Sequence, residues 1–310
     1  MNFIPEEREE NSAYLQLLMI VLFAIAGIII GSILSLAVVL LLYGTAGFGH
    51  MELADGNDSK YVSVLKISQV LTTACLFILP PVWLAKREKM KIKDFYGFKK
   101  PQFFFVILVI LIMVSSMPVM EWVALANQKM TLPGVLKPIE DWMRAKEDAA
   151  MKMTILLLKV GHTWDFFINL FIIALMPAVA EEFIFRGAIQ RSFNRMFRNP
   201  HVAIWITAFI FSAIHIQFFG FIPRLLLGAI FGYIYWWTGS LWYTMLAHFL
   251  NNAYAVCLAW YMQVHHMPMD SLDNSANFSW YQYVISLLLS IFLLKFLHYK
   301  TTQNDGKQLG

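Results

Sequence analysis

The chain has 310 residues, 59% of them apolar and 14% charged, whereas an ordinary soluble domain carries about 45–50% apolar and about 25% charged residues. That balance excludes intrinsic disorder and leaves ample material for a polytopic membrane protein, since eight membrane helices of about 20 residues need only about 160 positions. The formal net charge of +4 reflects a small excess of Lys and Arg rather than a basic tract, so nucleic acid is not an expected partner.

The amino terminus carries EEREE at residues 6–10, and the first apolar run, 15–42, is too long for a signal-peptide core and lacks a basic flank. It is expected to remain in the membrane. Further apolar segments span about 61–85, 102–123, 163–190, 201–218, 222–237, 240–262 and 281–298, none with strand alternation. The expected fold class is therefore all-α, a polytopic transmembrane helical protein of about eight spans. Cys75 and Cys257 both lie in apolar runs, which points to packing rather than a disulfide framework.

Charge between the spans sets the orientation. The loop KREKMKIKDFYGFKK at 86–100 holds seven basic residues, while 43–60 holds only Lys60. Positive charge stays inside, so this loop and both termini are expected in the cytoplasm. RSFNRMFR and the tail with Lys300 and Lys307 then also lie inside, and Asp270 and Asp273 outside. The chain is expected to sit in a prokaryotic cytoplasmic membrane. Residues 124–160, with Lys129, Lys137, Glu140, Arg144, Lys146 and Glu147, read as an amphipathic interfacial helix on the noncytoplasmic side. Three stretches follow, 1–162, 163–262 and 263–310, expected to form one compact membrane domain.

The half after residue 163 differs from the half before it because ionisable groups interrupt its apolar helices. Glu181 and Glu182 are adjacent, and Arg186 is four residues beyond Glu182, on the same helix face. Phe211 and His215 share an i,i+4 face of the fifth segment, as His248 and Asn252 do in the seventh. Counted from the cytoplasmic boundary, Glu181 and His215 each lie about 14 residues up, roughly 21 Å at helical rise, so three helices can meet in one polar layer. Polar groups at that depth must be paired, hydrated or exposed to a substrate cavity.

Water-driven hydrolysis needs a base, a proton route and donors for an oxyanion. Glu181 and His215 suit the first two roles, and His248 and Asn252 the last. Ser212 has no identifiable acid partner for a triad, and Cys257 falls off the face of Asn252. A zinc site built from Glu181, His215 and His248 is an alternative, although the chain has no HExxH helix. Arg224, near the outer end of the fifth segment, reads mainly as an interfacial anchor, with carboxylate or lipid-headgroup binding as the other reading. Asp165 and Asn169 suit a helix start or loop contact better than the site, and Pro118 offers a kink or a loose helix end. Tyr233, Tyr235, Trp236, Trp237, Trp242 and Tyr243 read as membrane belt and core.

EEFIFR, FSAIH and HFLNN resemble the motifs EExxxR, FxxxH and HxxxN of the CPBP intramembrane proteases, the family of type II CAAX prenyl endopeptidases and bacteriocin-processing or immunity (Abi) proteins. The motif core covers residues 181–252, about a quarter of the chain. The resemblance implies a glutamate-type intramembrane endopeptidase without an essential metal. In it Glu181 and His215 activate water, His248 and Asn252 stabilise the oxyanion, and Glu182, Arg186 and Phe211 support the site. It implies a peptide or membrane-associated protein substrate, in CAAX-like processing, peptide maturation or immunity, with membrane lipids as surroundings. A nonenzymatic membrane scaffold or immunity protein is the alternative from another class, and a transporter is disfavoured because no broken-helix repeat is evident.

Overall fold

The computed structural model describes residues 10–45, 59–269 and 278–308, and among these every regular element is helical. Asp270, Asp273 and residues 6–9 lie outside the described residues, as does the side chain of Lys307. The helices are α1 Ala13–Tyr43, α2 Lys60–Arg87, α3 Ile92–Tyr96, α4 Phe103–Gln128, α5 Lys137–Leu158, α6 Thr163–Phe197, α7 Pro200–Ala213, α8 Phe221–Thr238, α9 Leu241–Val264 and α10 Trp280–Gln308. Every apolar segment read from the sequence forms a helix over most of its length. Five of them, α1, α2, α4, α6 and the Trp280–Gln303 part of α10, are long and apolar enough to cross a membrane. The other three expected spans fall on α7, only 14 residues long, and on α8 and α9. The fifth segment stops at Ala213 instead of residue 218, and the fourth runs on to Phe197.

Side-chain chemistry sets several boundaries. Ser12 caps α1 by accepting from the Leu15 amide at 3.3 Å. Gly97 ends α3 and Gly239 ends α8, both with positive φ. A Cβ on Gly97 would stand 2.6 Å from the Gly239 carbonyl, so glycine is required where these two ends meet. The Leu241 amide donates to the Gly97 carbonyl at 3.2 Å. Tyr96 donates to the Pro81 carbonyl and Tyr235 to the Tyr96 carbonyl. The basic loop is thereby fastened beneath α2, α8 and α9.

Pro118 lies inside α4, which continues to Gln128; a loose helix end is thus excluded. Proline removes a donor and crowds the preceding turn, and α10 repairs the damage. Ser286 accepts from the Val119 amide at 3.1 Å and donates to the Ser115 carbonyl. α10 packs along α4, α9 lies between α4 and α6, and α1 packs on α2. Two main apolar cores result, one around Phe183, Phe185, Phe211 and Leu241, the other around Ile112, Phe231, Ile234 and Leu297. Val21, Leu22, Ile25 and Ile29 of α1, with Val284, Ile285, Leu288 and Phe292 of α10, are exposed. Such outward apolar faces are stable against acyl chains and not against water, as expected of an integral membrane protein.

A polar cluster ties the amino terminus to the end of α6. Glu10 pairs with Arg191 and, at 3.0 Å, with Arg195. Asn11 and Gln16 donate to Glu88, and Arg195 donates to Gln16. Burial pushes the Glu10 carboxyl up, but the Arg191 hydrogen bond and charge, with Gln16 and Arg195, outweigh it and hold the group below its ordinary range. A carboxylate with a depressed folded-state value stabilises the fold above its unfolded value and loses that contribution as pH falls through the folded one. Glu10→Gln is expected to lower stability at neutral pH by about 1 kcal/mol or less, given partial exposure. In thermal melts the difference from the unaltered chain should shrink to nothing as the pH drops below the carboxylate range.

Candidate active site

Helix α6 departs from regular winding on both sides of its acidic pair. Leu170–Leu175 and Phe183–Gln190 adopt wider, π-type turns, which recur at functional sites because they re-aim side chains. Pro177, in the turn between them, has no amide hydrogen, so a carbonyl one turn earlier lacks its helical donor. Asn252 of α9 approaches that position, its Nδ2 lying 3.4 Å from the Ile173 carbonyl oxygen.

The two glutamates meet different surroundings. Glu182 and Arg186 are fully buried. Glu182 Oε1 accepts from Arg186 Nη1 at 2.7 Å and from His248 Nδ1 at 2.9 Å. Arg186 Nη2 donates to the Gly228 carbonyl at 2.9 Å, and its guanidinium lies over the rings of Phe211 and Phe231 at 4.7 and 5.3 Å. Isolated ions at this depth are strongly disfavoured, and this cage of charge, carbonyl and aromatic faces compensates them. Glu181 instead lines a cavity of about 510 Å³, with its Oε2 3.9 Å from His248 Nε2.

Histidine tautomers follow from the partners. The Glu182 carboxylate accepts, so His248 Nδ1 carries hydrogen and Nε2 points to the Glu181 side. The ring also stacks on Phe231 at 5.2 Å. His215 Nδ1 lies 2.8 Å from the Phe211 carbonyl, which can only accept, so neutral His215 leaves Nε2 with a free lone pair. His215 is not within a helix reaching residue 218. It stands just past the end of α7, in a turn where Ile216 has positive φ, and uses an open last-turn carbonyl as its anchor.

Glu181, Phe211, His215, His248 and Asn252 all line this one cavity, and Glu182 and Arg186 lie behind its wall. Glu147, Met151, Thr154 and Leu158 of the amphipathic helix α5 form another side of it. Asn252 Oδ1 accepts from Asn251 at 3.2 Å. The cavity is lined by Gln128 at the end of α4, Leu158 at the end of α5 and Gly220, Pro223 and Arg224 at the start of α8, and by nothing of α6 beyond Glu181. Asp165 and Asn169 do not line it. Asp165 accepts from the Gly161 and His162 amides at 2.8 Å each, and Asn169 donates to the Leu158 carbonyl, so both serve the start of α6. Arg224, read mainly as an interfacial anchor, instead lines the cavity and donates to Gln217 at 2.8 Å.

Among the described residues no group of three His, Cys, Asp or Glu side chains is arranged to hold a metal ion. Glu181, His215 and His248 share a cavity without the convergence that a zinc site demands.

Sequence reading missed Phe231, the partner of both Arg186 and His248, because it lies in an aromatic-rich run that resembles a membrane belt. It also missed the two glycines that let α8 approach. The Gly228 and Gly232 carbonyls accept from Arg186 and Gln190, two pairs each four residues apart. A Cβ on Gly232 would stand 2.8 Å from Gln190 Oε1 and 2.9 Å from Ile204. The small-xxx-small spacing in GAIFG was the available signal.

Comparison with known proteins gives a family match over the region that carries this geometry. Residues 163–254 match the family model described as type II CAAX prenyl endopeptidase Rce1-like. This part of the chain is similar to that family. The match takes in EEFIFR, FSAIH and HFLNN, the motifs whose side chains gather at the cavity. An uncharacterized protein of Bacillus subtilis strain 168, YpbD, is 29% identical over 110 residues, covering 34% of this chain and 52% of that protein. The alignment thus spans about half the length of that relative. No solved structure matches the chain. The Rce1-like family is a protease family, and the chain is an integral membrane protein with a region similar to it.

Removing one member of the buried pair leaves the other uncompensated. Arg186→Met should destabilise the protein by about 3–5 kcal/mol, read as a lower melting temperature in detergent. The double variant Arg186→Met, Glu182→Leu should recover much of that loss, because an apolar pair leaves no isolated charge. A double variant as unstable as the sum of its two single variants contradicts this account of the pair.

Proposed function

We propose that the protein is a glutamate-type intramembrane endopeptidase that hydrolyses a peptide bond with a water molecule held between Glu181 and His215. The observation that carries this reading is the division of labour between adjacent glutamates. Glu182 is consumed by Arg186 and His248, whereas Glu181 lines the cavity.

In this mechanism Glu181, assisted by Nε2 of His215, takes a proton from water as the oxygen attacks the peptide carbonyl. The carbonyl π electrons move to oxygen, giving a tetrahedral oxyanion. His248 Nε2–H and Asn252 Nδ2–H donate to it. Since Nδ1 of His248 already donates to Glu182, Nε2 donates only from the imidazolium form. Of the two Asn252 amide hydrogens, one lies against Ile173 at a long 3.4 Å, leaving the other for the substrate. Collapse of the oxyanion breaks the C–N bond, and the proton held at Glu181 or His215 passes to the departing amine. Glu182, Arg186 and Phe211 position these groups. No metal is required in this scheme.

A peptide or a membrane-associated protein is the proposed substrate, in CAAX-like processing, peptide maturation or immunity. If the basic loop and both termini face the cytoplasm, the cavity lies toward the noncytoplasmic side. That placement favours peptides processed at or beyond the outer face.

The full chain, purified into liposomes with a membrane-anchored peptide, should yield two products whose masses locate the cut. Glu181→Gln should lower kcat by about 100-fold or more, the scale of a lost general base, with the melting temperature retained. Cleavage that persists unchanged in that variant removes Glu181 as the base. Partner binding or protection retained in a folded, cleavage-dead variant would instead favour a nonenzymatic scaffold.

Metal dependence is checked separately. Chelator treatment followed by elemental analysis is expected to leave cleavage unchanged. Stoichiometric zinc whose removal abolishes cleavage, and whose return restores it, overturns the metal-free scheme.

A further inference from the structure

Arg224 is a cation in the wall of the same cavity, and neither the motifs nor the proposed hydrolysis gives it a role. It belongs to the first turn of α8. Its Nη2 donates to Gln217 Oε1 at 2.8 Å, which fixes the guanidinium plane, while Nη1 is buried without a hydrogen-bond partner. A Cβ on Gly220 would stand 3.1 Å from Nη2. The absence of a side chain there gives the guanidinium room against the chain that precedes α8.

Other charged or titratable groups lining the cavity are Glu147, Glu181, His215, His248 and Tyr254. Glu147 Oε2 accepts from the Phe219 amide at 3.3 Å, and its charge acts on Arg224. Arg224 also acts electrostatically on Glu181 and His215. A planar fork with an unused donor fits a carboxylate better than a point charge would.

We propose that Arg224, oriented by Gln217, binds a carboxylate of the substrate in the cavity that holds Glu181, making it a determinant of substrate choice. The carboxylate is either the free carboxyl terminus of the peptide or an acidic side chain. This rests on the reading of the cavity as a peptide site and adds the feature that the peptide must present.

The test uses the full chain in liposomes with Glu181→Gln, so that bound peptide is not consumed. Three labelled pools of apolar heptapeptides are offered: one ending in a free carboxylate, one in a carboxamide, and one in a carboxamide with an internal Asp. Retained peptides are counted by mass spectrometry. One or both carboxylate pools should be retained about tenfold or more over the plain carboxamide pool, the scale of one charge-assisted hydrogen bond. Enrichment of the first identifies the carboxyl terminus as ligand, and enrichment of the third an acidic side chain.

Adding Arg224→Gln should erase the preference while keeping carboxamide retention. Gly220→Ala, which presses on the guanidinium without removing it, should weaken the preference and serves if the arginine variant fails to fold. Equal retention of all pools overturns the proposal, as does a preference that survives loss of Arg224. Since binding is the readout, failure of hydrolysis is separable. An Arg224-dependent preference in a protein that never cleaves would sustain the carboxylate site and remove the protease mechanism.

Discussion

A carboxylate and a guanidinium inside an apolar helix bundle must compensate each other and fill their remaining hydrogen-bonding positions. The Glu182–Arg186 pair meets the first demand within one helix and the second in part, drawing in two others, while Glu182 Oε2 and Arg186 Nε stay buried without a hydrogen-bond partner. His248 of α9 donates to Glu182, and the Gly228 carbonyl of α8 accepts from Arg186. Charge compensation therefore fixes the relative placement of α6, α8 and α9. Glu182 Oε1 is engaged in this pairing, and the neighbouring Glu181, about 100° around the helix, faces the cavity.

The irregularities of the fold serve this arrangement. Pro177 and the wider turns of α6 free a backbone carbonyl that Asn252 approaches. Gly228 and Gly232 bring the α8 backbone within reach of Arg186 and Gln190. The early end of α7 leaves the Phe211 carbonyl open to hold His215 in one tautomer. Each is a local departure from ideal helix geometry that places a polar group where regular winding would hide it. α5 then closes one side of the cavity, so a helix read only as interfacial forms part of the site.

Much of this was legible in the sequence because membrane helices signal themselves through long apolar runs, and the exceptions within those runs are few. Glu181, Glu182, Arg186, His215, His248 and Asn252 stood out for that reason, and all converge on one place. What escaped was carried by residues that look ordinary in an apolar segment. Phe231 is indistinguishable by type from a lipid-facing aromatic, and an Arg three residues into a helix suggests an anchor as readily as a cavity wall. The number of true crossings is also not set by hydropathy alone. α7 is short, while α8 and α9 keep part of their surface for the site rather than for lipid.

The account stands or falls on water, rather than a side chain, attacking the peptide carbonyl beside Glu181. A single turnover of the liposome-embedded protein in ¹⁸O-water measures this directly by mass spectrometry of the products and of the digested protein. The expected result is one ¹⁸O atom in the new carboxylate of the product, none in the peptide containing Glu181, and no peptide hydroxamate when hydroxylamine is added during turnover. Label recovered in Glu181, or a hydroxamate trapped at the cut, would reveal a covalent acyl intermediate and contradict water as the attacking group.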